Sequence, residues 1–539
     1  MSRFKIWQPF IIALAIIAGV FIGAYLTRIA MAGDSLSHLP QNQISKLNAV
    51  INYISKEYVD TVNPEKMVDR TIEQMLHGLD PHSSYITAEE LQAVNEPLEG
   101  NFEGIGIEFH IQEDTIMVVA AIPGGPSEQL GIRAGDRIIK VDGSNVAKTG
   151  ITNSKVMKLL RGEGGTKVKV TVFRRTAARN YDFTIVRGKI PIHSVEVGYM
   201  VNPSMGYVRI SHFAENTYPE FLEAYRKLKE QGMKKMILDL RGNPGGYLKS
   251  AIEIADEFLP PGKLIVYTEG HARPRENFHS TSKGDFIKGD LAVLIDEGSA
   301  SASEIVSGAI QDLDRGVIIG RRSFGKGLVQ EQSEFPDGSA VRLTVARYYT
   351  PTGRCIQKPY EDDYDAYENE IIRRMQHGEL LHSDSIHFPD SLKYTTPKGK
   401  TVYGGGGIMP DIFVPLDTAG VSGFYTEING LGVINQFAYD YLDQNRNNLE
   451  KYRSFNDFNR NFQVTTDIYA QLVHSSRKAG VNSNDGVEMA RPFISNQFKA
   501  LIARQLWGNE GFFSVLQTQD KTIQKAIEIL SSAKDDKAQ

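Results

Sequence analysis

Cysteine is nearly absent: Cys355 is the single one in 539 residues. No intrachain disulfide and no cysteine-built metal site can therefore organise the fold, although this leaves the compartment open. An excess of basic charge is absent too. The formal net charge is −5, which gives no electrostatic ground for expecting nucleic acid as a partner. No internal repeat, metal-ligand cluster, dinucleotide fingerprint or phosphate loop stands out, so neither a metal nor another cofactor is expected. The remaining composition, 41% hydrophobic and 23% charged, is that of a globular protein long enough for several domains.

One long uncharged stretch is present, at the start. Arg3 and Lys5 precede residues 6–27, which carry no charge, and Arg28 follows. The run is long enough to span a bilayer. It exceeds the apolar centre of a usual signal peptide, although Ala30-Met31-Ala32 has the small-x-small form of a cleavage site. The expectation is an uncleaved N-terminal transmembrane helix within residues 1–32, with its basic tip in the cytoplasm and the body of the chain exported. A cleaved signal peptide is the alternative.

The densest chemistry lies in residues 291–330, LAVLIDEGSASASEIVSGAIQDLDRGVIIGRRSFGKGLVQ. Residues 291–295 form an apolar run of buried-strand length. A turn follows at Glu297-Gly298, and Ile305, Val306, Ala309, Ile310 and Leu313 then recur at helical spacing. Ser301 thus falls where a strand hands over to a helix N-terminus, with unpaired N–H groups and the positive end of the helix dipole close by. A hydroxyl there can attack a carbonyl and leave the oxyanion facing N–H donors. Such a nucleophile needs a base. Lys326, between Gly325 and Gly327, leads into a strand-like segment in which Lys326, Leu328 and Gln330 alternate onto one face. Gln330 can then orient the amine, and burial lowers a lysine from its usual pKa of about 10.4. Neither a Gly-x-Ser-x-Gly elbow nor a His/Asp partner accompanies Ser301. The same residues also suit a small-residue helix start capped by serine and a surface Gly-Lys-Gly turn.

GSASASEI followed by FGKGLVQ resembles the signature of the carboxy-terminal processing peptidases, also called tail-specific proteases. The resemblance implies Ser301 as nucleophile, Lys326 as general base and Gln330 as the residue that supports the lysine. It also implies an oxyanion hole in which the amide of Ala302 is joined by one from the DLRGNPGG turn, falling on Gly245 or Gly246. Gly104-Ile105-Gly106-Ile107, together with GIRAGDRIIKVDG further on, resembles a PDZ domain. In such domains the Gly-Φ-Gly-Φ loop holds a peptide's terminal carboxylate while the peptide adds as a strand. His82 and His212 are read as structural, because the family needs no histidine, and Cys355 as a small unreactive residue.

The fold this implies is α+β and multidomain: a crotonase/ClpP-like ββα peptidase core with an inserted PDZ domain, an N-terminal transmembrane helix and a C-terminal helical region. The expected divisions are 1–32 for the anchor and 33–98 for an N-terminal helical part. The PDZ domain takes 99–189 and the core 190–360. A polar insertion takes 361–403, the end of the core 404–419 and the C-terminal helical region 420–539. The implied activity is serine endopeptidase, with no metal. Its expected partners are proteins with accessible C-termini, among them envelope proteins, with a homo-oligomer possible. The implied place is the bacterial inner membrane, with the catalytic part in the periplasm. A catalytically silent PDZ scaffold is the alternative from another class, and the intact Ser301, Lys326 and Gln330 argue against it.

Overall fold

The computed structural model describes residues 41–360 and 364–532. The chain divides into two units, Met1–Leu79 and Asp80–Gln539. In the first, the helices Gln41–Glu57 and Pro64–His77 are described. The Asn63 side chain caps the second by accepting from Lys66 N, and Pro64 takes the first position, where an N–H has no helical partner to lose.

The second unit is built on a six-stranded sheet. Its spatial order is Val195–Asn202, Met205–Ile210, Lys235–Asp239, Asp290–Ile295, Val317–Gly320 and Ile412–Phe413. The first pair is antiparallel and the rest are parallel. Parallel strands need cover on both faces, and the side chains divide accordingly. Val208, Leu238, Val293 and Ile318 form one row and pack with the helices Leu248–Asp256 and Ala302–Asp312. Tyr207, Ile237, Leu294 and Ile319 belong to a second core with Ile523, Ala526 and Leu530 of the helix Lys521–Ser532. Burial on both faces is why residues 291–295 read as an unbroken apolar run. It also makes the last described helix, within residues 420–539, a covering layer of this sheet.

A five-stranded sheet stands beside it, formed by Ser84–Ile86, Leu264–Glu269, Glu276–His279, Leu328–Glu334 and Ala340–Tyr349. The paired strands Asn101–Gly104 and Gly188–Pro191 form a neck to a small β domain. There the strands Ile107–Gln112, Thr115–Ala121, Arg137–Val141, Lys167–Arg174 and Arg179–Val186, with the helix Asn153–Leu160, enclose their own core around Ile116, Val118, Ile138, Val156 and Val170. A separate helical core surrounds Phe424, Phe437, Phe458 and Phe498. The segment after Tyr360 holds the short helices Tyr364–Glu368 and Glu370–Gln376 and a hairpin of Lys393–Thr395 with Thr401–Tyr403.

The fold expectation needs one correction. Among the described residues no helix is long and apolar enough to cross a membrane, so the transmembrane helix is not part of the supported fold. The longest described helix, Val487–Leu516, carries Glu488, Arg491, Lys499, Arg504 and Glu510, charges that a bilayer interior would penalise. Residues 1–32, on which that expectation rested, lie outside the described residues.

Candidate active site

Ser301 is the N-cap of the helix Ala302–Asp312 and sits at φ 54°, ψ −111°. This backbone is strained for a side chain with a Cβ, and it persists only where neighbours fix it. Here they do. Ser301 N donates to Glu304 Oε2 at 2.8 Å. Ser301 O accepts from Glu304 N at 2.8 Å and Ile305 N at 3.0 Å, and from the Tyr348 hydroxyl at 3.1 Å. Asn243 O takes Ala300 N at 2.9 Å and Ser303 Oγ at 3.0 Å. The serine is thus thrust out of a strand-to-helix turn, although the sequence lacks the glycines that usually mark such an elbow.

Lys326 precedes the strand Leu328–Glu334, and its amine donates to Gln330 Oε1 at 3.1 Å. Gln330 is oriented in turn, because its amide donates to the His82 carbonyl. A register shift between Val329 and Gln330 departs from simple alternation, so Leu328, Val329, Gln330 and Gln332 all line the cavity. Burial lowers the Lys326 pKa, and the charge of Arg342 lowers it further, while Asp80 and Glu304 pull the other way. No ion pair to a carboxylate holds this amine among the described residues. Ser301 and Lys326 line one cavity of about 990 Å³ with Gly245, Gly246 and Gln330. No hydrogen bond joins Ser301 Oγ to Lys326 Nζ.

The two glycines differ. Gly245 N donates to Asn243 Oδ1 at 2.9 Å, so that amide is engaged. Its backbone has φ 101°, and a Cβ built on it would stand 2.7 Å from Ser301 Cβ and 3.0 Å from Ala302 N. Gly246, at φ 144°, has no room for a Cβ, which would meet Phe213 O at 2.0 Å. Among the described residues the N–H groups of Gly246 and Ala302 donate to nothing, which leaves these two unengaged as donors beside Ser301. In the β domain the Ile105 carbonyl takes Ser127 N at 3.1 Å and Ser127 Oγ at 2.6 Å. The Gly106 carbonyl takes Ile122 N at 3.0 Å, with Gly106 at φ 75°. Those carbonyls turn into the domain, and among the described residues the N–H groups of Ile105 and Gly106 have no acceptor beside the strand that starts at Ile107.

The sequence reading missed Glu304. Its buried carboxylate accepts from Ser301 N, Gly325 N at 2.7 Å, Lys326 N at 2.9 Å and the Ser323 hydroxyl. One side chain therefore ties the main chain of the serine to that of the lysine. Burial pushes the Glu304 carboxyl up to about 7, against these hydrogen bonds. Ser301-x-x-Glu304 is the capping-box spacing, and that signal was legible. Asp239, Arg241 and Asp520 carried no comparable signal. Arg241 grips buried Asp239 through Nε and Nη2 and reaches Asp520 through Nη1, which brings the C-terminal region onto the turn that leads to Gly245.

Of the two histidines, burial and then the charge of Lys326 hold His82 down at about 3, and its Nε2 meets the Tyr367 hydroxyl at 2.7 Å. The His82 carbonyl, not its ring, serves the lysine. His212 lines the cavity, but its Nδ1 meets Ser211 Oγ at 3.0 Å and it makes no bond to Ser301. The segment after Tyr360 also reaches the base loop, since Arg374 donates to the carbonyls of Ser323 at 2.8 Å and Phe324 at 3.1 Å. Burial pushes the Cys355 thiol up, which keeps it protonated and weakly reactive.

A cavity lined by a half-buried serine, a desolvated amine and unengaged amides, in a chain with a separate small β domain, fits a PDZ-bearing serine peptidase. Residues 204–366 match the model of peptidase family S41, residues 117–174 that of the PDZ domain, and residues 424–508 a family of unknown function. The carboxy-terminal-processing protease of Bartonella bacilliformis is 38% identical over 349 residues, 63% of this chain and 79% of the relative. The carboxy-terminal processing protease CtpA of Bacillus subtilis is 34% identical over 351 residues, 65% of this chain and 74% of the relative. A solved photosystem II D1 C-terminal processing protease shares 27% identity over 67% of this chain and 84% of its own, with a TM-score of 0.34. The chain belongs to peptidase family S41, as a carboxy-terminal processing serine protease with a PDZ domain.

Proposed function

We propose that the chain cuts polypeptides with a Ser301–Lys326 pair after its PDZ domain has captured a substrate's C-terminus. The N–H groups of the Gly104–Ile107 loop hold the terminal carboxylate, and the tail adds beside the strand Ile107–Gln112. Ser301 Oγ attacks the scissile carbonyl while the neutral Lys326 amine takes its proton. The amides of Ala302 and Gly246 receive the oxyanion. Lys326 then gives the proton to the leaving amine, and water, deprotonated by the same lysine, hydrolyses the acyl-serine. Substrate binding brings Lys326 onto Ser301, since hydrogen bonds of this kind tighten in the loaded enzyme. The natural substrates are proteins outside the cytoplasm, a reading carried only by the uncharged stretch of residues 6–27.

The observation that carries the proposal is the shared cavity: a serine on strained backbone, and a lysine whose amine bonds to Gln330 and to no carboxylate. The test incubates the full chain, Ser301→Ala and Lys326→Met with an unfolded protein and reads new fragments by mass spectrometry. Fragments from the wild type alone support the pair. Cleavage by Lys326→Met at the wild-type rate overturns the lysine's role. Equal cleavage of substrates with free and amidated C-termini overturns tail capture.

A further inference from the structure

Arg342 lies on the strand Ala340–Tyr349 opposite Gln332 and lines the same cavity as Ser301 and Lys326. Its hydrogen bonds go to neutral amides, Gln332 Oε1 at 2.9 Å and Asn95 Oδ1 at 3.4 Å. Both leave from Nη2, so Nε and Nη1 have no protein acceptor among the described residues, and no carboxylate pairs with the group. Other arginines of this core are paired: Arg241 with Asp239 and Asp520, Arg321 with Glu297, and Arg354 with Asp312. A part-buried guanidinium with unused donors on a planar fork is shaped for a carboxylate, which it can bind through two parallel hydrogen bonds. The cavity admits polypeptide, and polypeptide brings carboxylates in two forms, an acidic side chain or the main-chain terminus.

We infer that Arg342 receives a carboxylate of the substrate beside the scissile bond, and that the site therefore selects cleavage points by charge. This rests on the serine-peptidase reading. It also explains the neutral neighbours. Asn95 and Gln332 hold the guanidinium in place without cancelling its charge, as a resident carboxylate would. Burial also lowers the pKa of Arg342 itself, against an opposing contribution from Tyr247, which is the cost of keeping the group open for a ligand.

The test uses the full chain and one peptide that the wild type cleaves. Glutamate is placed in turn at each position within three residues of the cut, with glutamine at the same position as control, and each peptide is made with a free and an amidated C-terminus. For wild type, one glutamate position should raise kcat/KM about tenfold over glutamine, the scale of a charge-assisted hydrogen bond. Arg342→Gln should bring that ratio close to one, Arg342→Lys should keep most of it, and Arg342→Glu should reverse it in favour of glutamine. A gain from the free terminus that Arg342→Gln abolishes, in place of any glutamate position, assigns the main-chain carboxylate as the ligand. Wild-type ratios near one throughout, or a ratio that survives Arg342→Gln, overturn the inference and leave the peptidase reading standing. Absence of cleavage in every peptide overturns both. The wild-type arm needs no variant to fold, and the substrate ratio is unaffected by a general loss of activity.

Discussion

The junction that carries Ser301 and the segment that carries Lys326 are both held by their main chains; they differ in that the serine sits on strained backbone, whereas the lysine's amine is desolvated and aimed by a neighbour. Ser301 N and O are both bonded, and its φ is 54°. The Lys326 amine is desolvated, approached by Arg342, and aimed by Gln330, which leans on the His82 carbonyl. The proposed nucleophile is thus positioned by strained backbone, and the proposed base is kept available as a neutral amine by lost solvation. Both are costs to the folded state, and Glu304 bridges them.

The comparison breaks most plainly on the serine. Ser301→Ala should lower kcat by about 10⁶-fold with little change in thermal stability. Ser301→Gly should be as inactive yet more stable than Ser301→Ala by about 1 kcal/mol, because glycine accepts this φ without strain. Denaturant melts of both variants check it, and equal stability would show that the turn is relaxed. Next in size is Gly245→Ala, whose Cβ would press on Ser301 Cβ and Ala302 N. A displaced oxyanion amide should cost about 10²–10³ in kcat, read by steady-state kinetics.

The base responds to pH, and here the sign is set by its charge. In the proposed mechanism the working form is the neutral amine, so kcat/KM should rise with pH along a limb below the usual lysine value. The charged groups acting on Lys326 are Arg342, which lowers its pKa, and Asp80 and Glu304, which raise it. Arg342→Gln should therefore move the limb to higher pH, while Gln330→Leu should lower the rate and leave the limb near its place. A pH profile of kcat/KM on a neutral peptide separates the two. An unmoved limb in Arg342→Gln would detach the arginine from the base.

These differences follow what one sequence can carry. The strand at residues 291–295 and the helix from Ala302 were legible, because apolar runs and helical spacing survive without tertiary context. Ser301, Lys326 and Gln330 emerged as candidates from spacing and alternation, but motif resemblance was needed to single them out and to add Ala302, since nothing in a GKG turn declares its burial. Glu304 had a local signature in its spacing from Ser301. Arg342, the His82 carbonyl and Asp520 did not, because each acts across an interval that only the fold closes. The choice between Gly245 and Gly246 turned on one hydrogen bond, from Gly245 N to Asn243, which composition cannot show.

The smallest expected effect probes how far the turn beside Ser301 depends on the far end of the chain. Asp520 Oδ1 caps the helix Lys521–Ser532 by accepting from Thr522 N and Ile523 N, both at 3.0 Å, and the same carboxylate takes Arg241 Nη1. Asp520→Asn keeps an oxygen for the cap and removes the charge. Arg241 retains Asp239, so no buried charge is stranded, and the loss should be about 1 kcal/mol, as for a part-exposed pair. If the pair only fastens the helix, that loss appears in thermal melts and kcat is unchanged. If it also steadies the turn from Asp239 to Gly246, kcat should fall by about fivefold at constant KM, since misplacing an amide weakens the transition state more than the bound substrate. The geometry favours the second outcome, because Arg241 lies between Asp520 and the turn's first residue, Asp239. An unchanged kcat would confine main-chain control of Ser301 to the residues that touch it.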